Sequence, residues 1–257
     1  MANGTLTYYA CGYTTHKLSQ LFRGAPSEHR IFPAGVFLYT HADGTRVLFD
    51  TGYGPATWRA GIKGFLYNLL LPAHIKPDQS IAAQLRTDSV DPDSITYVVL
   101  SHLHPDHIGG VRYFPGATFV LTQPMVDTMT RGKVKEGFLR RLLPDWFAAA
   151  NHKIISLEQD DPAYDLLGDG TYQLVPLPGH ARGHFGVLVE DRVLLAADAS
   201  WGYDLMAQAA LAKPVPRAIT ADWVQYQHTI NELLEWEAQG VRLCFSHDVY
   251  SDKELLN

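Results

Sequence analysis

Short apolar runs punctuated by turn residues recur along the chain, and most are too short to make a helix. Gly35-Val-Phe-Leu-Tyr-Thr-His41 and Thr45-Arg-Val-Leu-Phe-Asp50 flank Ala42-Asp43-Gly44. Asp-Gly between two apolar runs predicts a β-hairpin, because these residues tolerate the backbone of a tight turn. Residues 96–101 and 117–122, Thr-Tyr-Val-Val-Leu-Ser and Ala-Thr-Phe-Val-Leu-Thr, predict two further strands, the first of them buried. Residues 137–150 predict a helix with Phe138, Leu142 and Leu143 facing the core. The longest helical pattern covers residues 222–239. There Trp223, Tyr226, Ile230, Leu233, Leu234 and Trp236 form one stripe, and Gly240 stands where a C-cap belongs. Strands alternate with helices and no Pro/Ser-rich linker intervenes, so residues 1–257 are expected to form one α/β domain.

The pattern also repeats weakly. Residues 35–52 and 183–200 each read as a strand, a turn containing Asp, and an apolar strand ending in Asp. Residues 97–104 and 242–248 each read as an apolar strand that delivers Ser-His. Two such pairs in the same order suggest two sheet-forming halves facing each other.

Composition narrows the function. A hydrophobic fraction of 46% and a charged fraction of 19% exclude a disordered chain, a collagen-like fibre and a long coiled coil. The net charge of −6 and scattered Lys and Arg give no basic face for phosphate backbones, so no nucleic-acid partner is expected. Residues 65–73, the longest strongly apolar stretch, have about half the length that crosses a bilayer, and no membrane association is expected. The first ten residues have neither the basic segment nor the apolar core of a secretory signal. Cys11 and Cys244 lie far apart in no CxxC pattern, which suggests free thiols in a reducing, cytoplasmic setting. Histidine is the unusual residue, at 12 of 257.

Those histidines concentrate the chemistry in Ser101-His102-Leu-His104-Pro-Asp106-His107-Ile-Gly109-Gly110. Residues i and i+2 leaving a strand point to the same side, so His102 and His104 can grip one cation together. Pro105 and Asp106 fit the first turn of a helix, which carries Asp106 and His107 past the same spot in another direction. Four ligating side chains in six positions can therefore serve two adjacent metals. Gly109 and Gly110 let backbone pack closely behind them.

This run resembles the HxHxDH signature of the metallo-β-lactamase superfamily. The remaining members follow in order: His180 in Pro178-Gly-His180-Ala-Arg-Gly-His184, Asp198 in Leu195-Ala-Ala-Asp198, and His247 in Cys244-Phe-Ser-His247-Asp. Leu48-Phe-Asp50-Thr-Gly52 matches the family's early Asp-Thr-Gly strand end. The resemblance implies an αββα sandwich of two mixed sheets flanked by helices, with the site at one edge of both. It implies one metal held by His102, His104 and His180, a second held by Asp106, His107 and His247, and Asp198 bridging them. Five imidazoles and two carboxylates suit two divalent transition-metal ions, zinc first, with iron, cobalt and manganese also compatible. Asp50 is expected to orient a ligand histidine, and His184 to support the site without ligating.

Among the branches of the family, the N-acyl-homoserine lactone lactonases fit best in length, ligand spacing and the PGHxxGH run. The resemblance thus implies a dinuclear hydrolase in which a bridging hydroxide opens the lactone ring of a small-molecule substrate. Asp106 is then expected to pass a proton to the leaving group, and Asp106 and Asp198 are the catalytic carboxylates. Alternatives are a glyoxalase II-like thioesterase or a phosphodiesterase on the same metal core, and more remotely a non-catalytic metal-binding sensor. Such lactonases often place a substrate-contacting tyrosine three residues after the bridging Asp. Trp201 stands there in this chain, with Tyr203 two residues on. Phe65, Leu66, Leu69 and Leu70, in the stretch from Trp58 to Leu71, read either as a core helix or as an apolar wall beside the site. Phe65 and Leu69 are the candidates for contacting an acyl chain. The oligomeric state stays open, a homodimer among the options.

Overall fold

The computed structural model describes residues 4–54, 57, 60–131, 136–157 and 163–256. Eleven strands form among them: β1 (Gly4–Lys17), β2 (His29–His41), β3 (Arg46–Phe49), β4 (Tyr97–Val99), β5 (Thr118–Thr122), β6 (His152–Ile155), β7 (Tyr164–Asp165), β8 (Tyr172–Pro176), β9 (Phe185–Val189), β10 (Val193–Ala197) and β11 (Arg242–Phe245). The α-helices are α1 (Leu18–Leu21), α2 (Gly61–Leu70), α3 (Ile81–Thr87), α4 (Pro105–Ile108), α5 (Gln123–Arg131), α6 (Pro214–Ile219) and α7 (Trp223–Ala238).

The strands make a six-stranded sheet in the order β1 to β6 and a five-stranded sheet in the order β11-β10-β9-β8-β7. Both are mixed. The hairpin β2–β3 is antiparallel with Leu38 opposite Leu48, and β4 then adds parallel to β3 with Val98 opposite Leu48. In the second sheet β9–β10 is the antiparallel hairpin, and β11 adds parallel to β10 with Cys244 opposite Leu195. The weak internal repeat is therefore real in three dimensions. Side chains of both sheets, among them Val36, Phe49, Val98, Leu174, Val187 and Leu195, share one buried cluster. Leu188, Leu194 and Ala196 turn the other way and pack against Tyr226, Ile230 and Leu233 of α7. Burial on both faces explains why β9 and β10 read as continuous apolar runs instead of alternating ones. Helices on the outer faces complete the expected αββα layering.

The hairpin turn, β4, β5 and α7 stand close to their predicted limits. Asp222 caps α7 by accepting from the backbone N–H groups of Val224 and Gln225. Leu234 leaves the predicted stripe and is 47% exposed. Residues 137–150 form no α-helix. They make two short 3₁₀ turns at Arg140–Leu142 and Asp145–Ala149, because Pro144 pushes Leu143 out of the helical region, to ψ 130°. Leu142 and Leu143 are nonetheless buried, and Phe138 packs against the core. The stretch containing Phe65 is a helix but not a core helix. In α2 only Gly64 is buried, while Phe65 and Leu69 are 60% and 68% exposed. Trp58 lies outside the described residues. No helix among the described residues is long and apolar enough to cross a membrane.

Candidate metal centre

Strand ends position the site. The parallel pairs β3/β4 and β10/β11 finish on the same edge of the sandwich and there release Asp50, Ser101-His102, Asp198 and Ser246-His247. Both hairpins end in a backbone that side chains rarely adopt: Asp50 has φ 62° and Ala197, just before Asp198, has φ 46°. Such strain persists only where surrounding contacts over-determine it, as they do here. His104 precedes α4 in extended conformation and Pro105 opens that helix, which places Asp106 and His107 in a second set of donors, with the His107 ring 4.0 Å from that of His102. Behind this turn, Gly109 lies against Gly54 so closely that a Cβ on it would stand 2.1 Å from the Gly54 nitrogen. A side chain there would push the ligand turn outward.

The structure brings all seven candidate ligands together. His102, His104, His180 and Asp198 form one set, and Asp106, His107, Asp198 and His247 another; within each, ligating atoms lie within 4.8 Å of one another. Asp198 is common to both. Its Oδ2 lies 3.3 Å from His180 Nε2 and 3.1 Å from His247 Nε2, and its Oδ1 lies 3.3 Å from His107 Nε2. Asp106 Oδ2 is 3.7 Å from the Nε2 atoms of both His107 and His247.

Three buried atoms at the centre, His102 Nε2, His107 Nε2 and Asp198 Oδ1, have no hydrogen-bond partner. A buried polar atom left unpaired costs about 1–3 kcal/mol, and all three atoms belong to the two candidate ligand sets, where a bound cation would satisfy them. Nitrogen and oxygen donors in this ratio fit divalent transition-metal ions. The electrostatics agree. Burial holds His102 and His180 well below the ordinary imidazole range and His104 below it, so their lone pairs are free. Burial also opposes charge on His107 and His247, but Asp198 and its neighbouring carboxylates outweigh it. They raise His107 well above its usual value and His247 to about 9. At Asp198 burial favours the neutral acid, yet His247 and His107 keep the carboxyl well below its normal range. The two carboxylates thus draw positive charge into a buried pocket.

Around this centre, each supporting group has a definite partner. Asp50 Oδ2 accepts from His107 Nδ1 at 2.7 Å, while Ser101 donates its backbone N–H to Oδ1 and its hydroxyl to Oδ2. His184 turns from the centre: its Nδ1 bonds the Leu177 carbonyl at 2.7 Å, and its Nε2 accepts from the Asp198 N–H at 3.3 Å. The Trp201 ring stands 6.5 Å from that of His180, beside the site. Tyr203 is 51% exposed and its hydroxyl bonds Glu237 of α7. A cleft of about 100 Å³ opens on His104 and His180, walled by Leu103, Thr128, Ile219 and Ala221; Phe65 and Leu69 are not among its lining residues.

Several contributors were not singled out from sequence. Pro33 accepts from His247 Nδ1 at 2.7 Å through its carbonyl, a role that any residue's backbone could fill. Tyr53 and Tyr67 pair their hydroxyls at 3.2 Å. Burial and then the charge of Asp106 raise both phenols well above their usual range, which sets this pair near the site. A model of the metallo-beta-lactamase superfamily matches residues 32–235.

The chain belongs to the metallo-beta-lactamase superfamily. The resemblance read from the HxHxDH run is thereby borne out. Among curated superfamily relatives, the N-acyl homoserine lactonase AttM of Azorhizobium caulinodans is 31% identical, over 84% of this chain and 82% of its own length. AttM of Agrobacterium fabrum is 32% identical, over 88% and 83%. Among solved structures, an N-acyl homoserine lactone hydrolase holding N-hexanoyl-L-homoserine at its catalytic metal centre superposes with a TM-score of 0.75. It shares 22% identity, over 97% of this chain and 95% of its own. The dizinc quorum-quenching lactonase AidC superposes at 0.63 with 16% identity, over 99% and 94%. At these identities the superpositions speak for the fold.

Proposed function

We propose that the protein is a dinuclear metallo-hydrolase that opens the ring of an N-acyl-homoserine lactone. The observation that carries the reading is Asp198, one buried carboxylate shared by two sets of ligand atoms. His102, His104 and His180 would hold one ion, Asp106, His107 and His247 the other, and Asp198 both. Zinc suits a site of imidazoles and carboxylates, and AidC, similar in fold, is a dizinc lactonase. Bound there, two divalent ions would supply Lewis acidity that acidifies water and polarises a carbonyl oxygen. The chain's own residues do the rest. Asp50 and Pro33 fix the ring orientations of His107 and His247 through their Nδ1 atoms. Water adds to the lactone carbonyl as one of its protons passes to the Asp106 carboxylate, the ring C–O bond breaks, and Asp106 returns that proton to the departing alkoxide. The product is a hydroxy acid. Trp201, beside His180, forms part of the substrate wall, and the AttM relatives support the acyl-homoserine head group.

A panel of N-acyl-homoserine lactones, a glutathione thioester and a phosphodiester, assayed on metal-loaded protein, tests this reading. Lactones should be hydrolysed with the highest kcat/KM. Faster hydrolysis of the thioester or phosphodiester would overturn the substrate class.

A further inference from the structure

The start of β2 reaches both of the loops that carry Asp198 and His247. Arg30 Nη1 donates to the two carboxylate oxygens of Asp204 at 2.7 and 2.6 Å, and its Nη2 donates to Asp248 Oδ1 at 3.1 Å. Asp248 directly follows His247 in the chain. Its other oxygen accepts from the Tyr203 backbone N–H at 2.9 Å, which ties it to the loop after Asp198. Gly202 lies between these groups: a Cβ there would stand 2.5 Å from Arg30 Nη2 and 2.8 Å from Asp248 Oδ1. Ser200 Oγ donates to the Gly202 carbonyl at 2.8 Å and closes the loop back toward Asp198. On the same strand, the Phe32 ring meets the His247 ring edge-on at 6.1 Å, with the Arg30 guanidinium 5.5 Å from that phenyl centroid.

We infer that Arg30 is a positioning residue for the ion held by Asp106, His107 and His247: it clamps Asp248 to the 200–204 loop and so fixes His247 relative to Asp198. The inference rests on the ligand roles proposed above. The Arg30–Asp204 arm is open to water, with side chains 21% and 60% exposed, and such an ion pair adds little to global stability; the Arg30–Asp248 arm next to His247 is the less exposed one, at 21% and 15%. Ligand geometry is a more sensitive quantity, since loss of a group that orients a ligand commonly weakens metal binding about 10–100-fold.

Stepwise competition between the protein and a colorimetric chelator for Zn²⁺ reads the two ions separately. Arg30→Ala should weaken one ion about 10–100-fold and leave the other within about twofold, with the Tm of the metal-free protein moved by no more than a few degrees. Arg30→Lys keeps the charge but cannot span two carboxylates, so it should recover only part of the loss. It also answers the question where Arg30→Ala does not fold. Equal weakening of both ions together with a large fall in Tm would make Arg30 merely structural and overturn the inference. Unchanged affinity in both variants would overturn it as well. A wild-type chain that takes up a single ion would refute the two-ion reading itself, and Arg30's role with it.

Discussion

Asp50→Asn is the substitution that probes the site's support most sharply, because it changes one atom in a carboxyl group that is fully buried. Asp50 accepts three hydrogen bonds: from the Ser101 N–H at 2.8 Å, from the Ser101 hydroxyl at 2.7 Å and from His107 Nδ1 at 2.7 Å. With Nδ1 carrying the hydrogen, His107 Nε2 keeps its lone pair for a cation. An asparagine can adopt two orientations here, and each is frustrated. If its amide nitrogen faces His107, that nitrogen donates to Nδ1 and the ring hydrogen moves to Nε2, the atom that must ligate. If its amide nitrogen faces the Ser101 backbone, two donors confront each other and a buried N–H loses its acceptor. Each mismatch costs about 1–3 kcal/mol. In the first orientation that is roughly a 5- to 150-fold loss of affinity for the ion at His107. In the second it is a fall in Tm of roughly 2–4 °C per kcal/mol. Chelator competition and thermal unfolding, measured on the same preparation, detect either outcome. Wild-type affinity for both ions with an unchanged Tm would refute the reasoning, and with it the role of Asp50 as the group that sets the His107 tautomer.

Asp198→Asn should leave the fold intact but weaken metal binding and lower kcat by about a hundredfold or more, since a neutral amide bridges two cations poorly; near-normal turnover with two ions bound would remove Asp198 from the bridge. Cys11 and Cys244 are free and buried, and burial raises both thiols, Cys244 to about 11. Neither should react with a disulfide reagent at pH 8 in the folded protein, while both should react after denaturation; rapid labelling of the native chain would contradict that burial. If a bound acyl chain covers the exposed face of α2, kcat/KM should rise about fourfold per added methylene, and Phe65→Ala should flatten the rise without harming a short-chain lactone. An unchanged chain-length profile in Phe65→Ala would confine the acyl group to the cleft beside His104 and His180.

The clustering of the seven candidate ligands was legible in the sequence because metal chemistry demands particular side chains at fixed spacings. His102, His104, Asp106 and His107 leave a strand and enter a helix within six positions, which brings two donors to each of two adjacent sets. The two-sheet architecture was legible from the repeat of hairpin plus strand, because β3/β4 and β10/β11 bury both faces and so carry uninterrupted apolar runs. What remained hidden depends on contacts without side-chain signature or on partners distant in sequence. Pro33 supports His247 through a backbone carbonyl, and Arg30 acts through residues some 170–220 positions away. The helix predicted over residues 137–150 failed because an apolar spacing was read across Pro144, whose steric demand on Leu143 outweighs periodicity. In α2 the apolar spacing did make a helix, yet Phe65, Leu66, Leu69 and Leu70 face outward; periodicity reports that one face is apolar, not what covers it.

The central claim is that one chain holds two cations across a shared carboxylate, and metal stoichiometry tests it most directly. Elemental analysis of the purified protein, repeated after dialysis with excess Zn²⁺ and removal of free metal, should give close to two ions per chain, because seven ligands exceed the needs of one tetrahedral ion. One ion or fewer per chain after supplementation would contradict the dinuclear site.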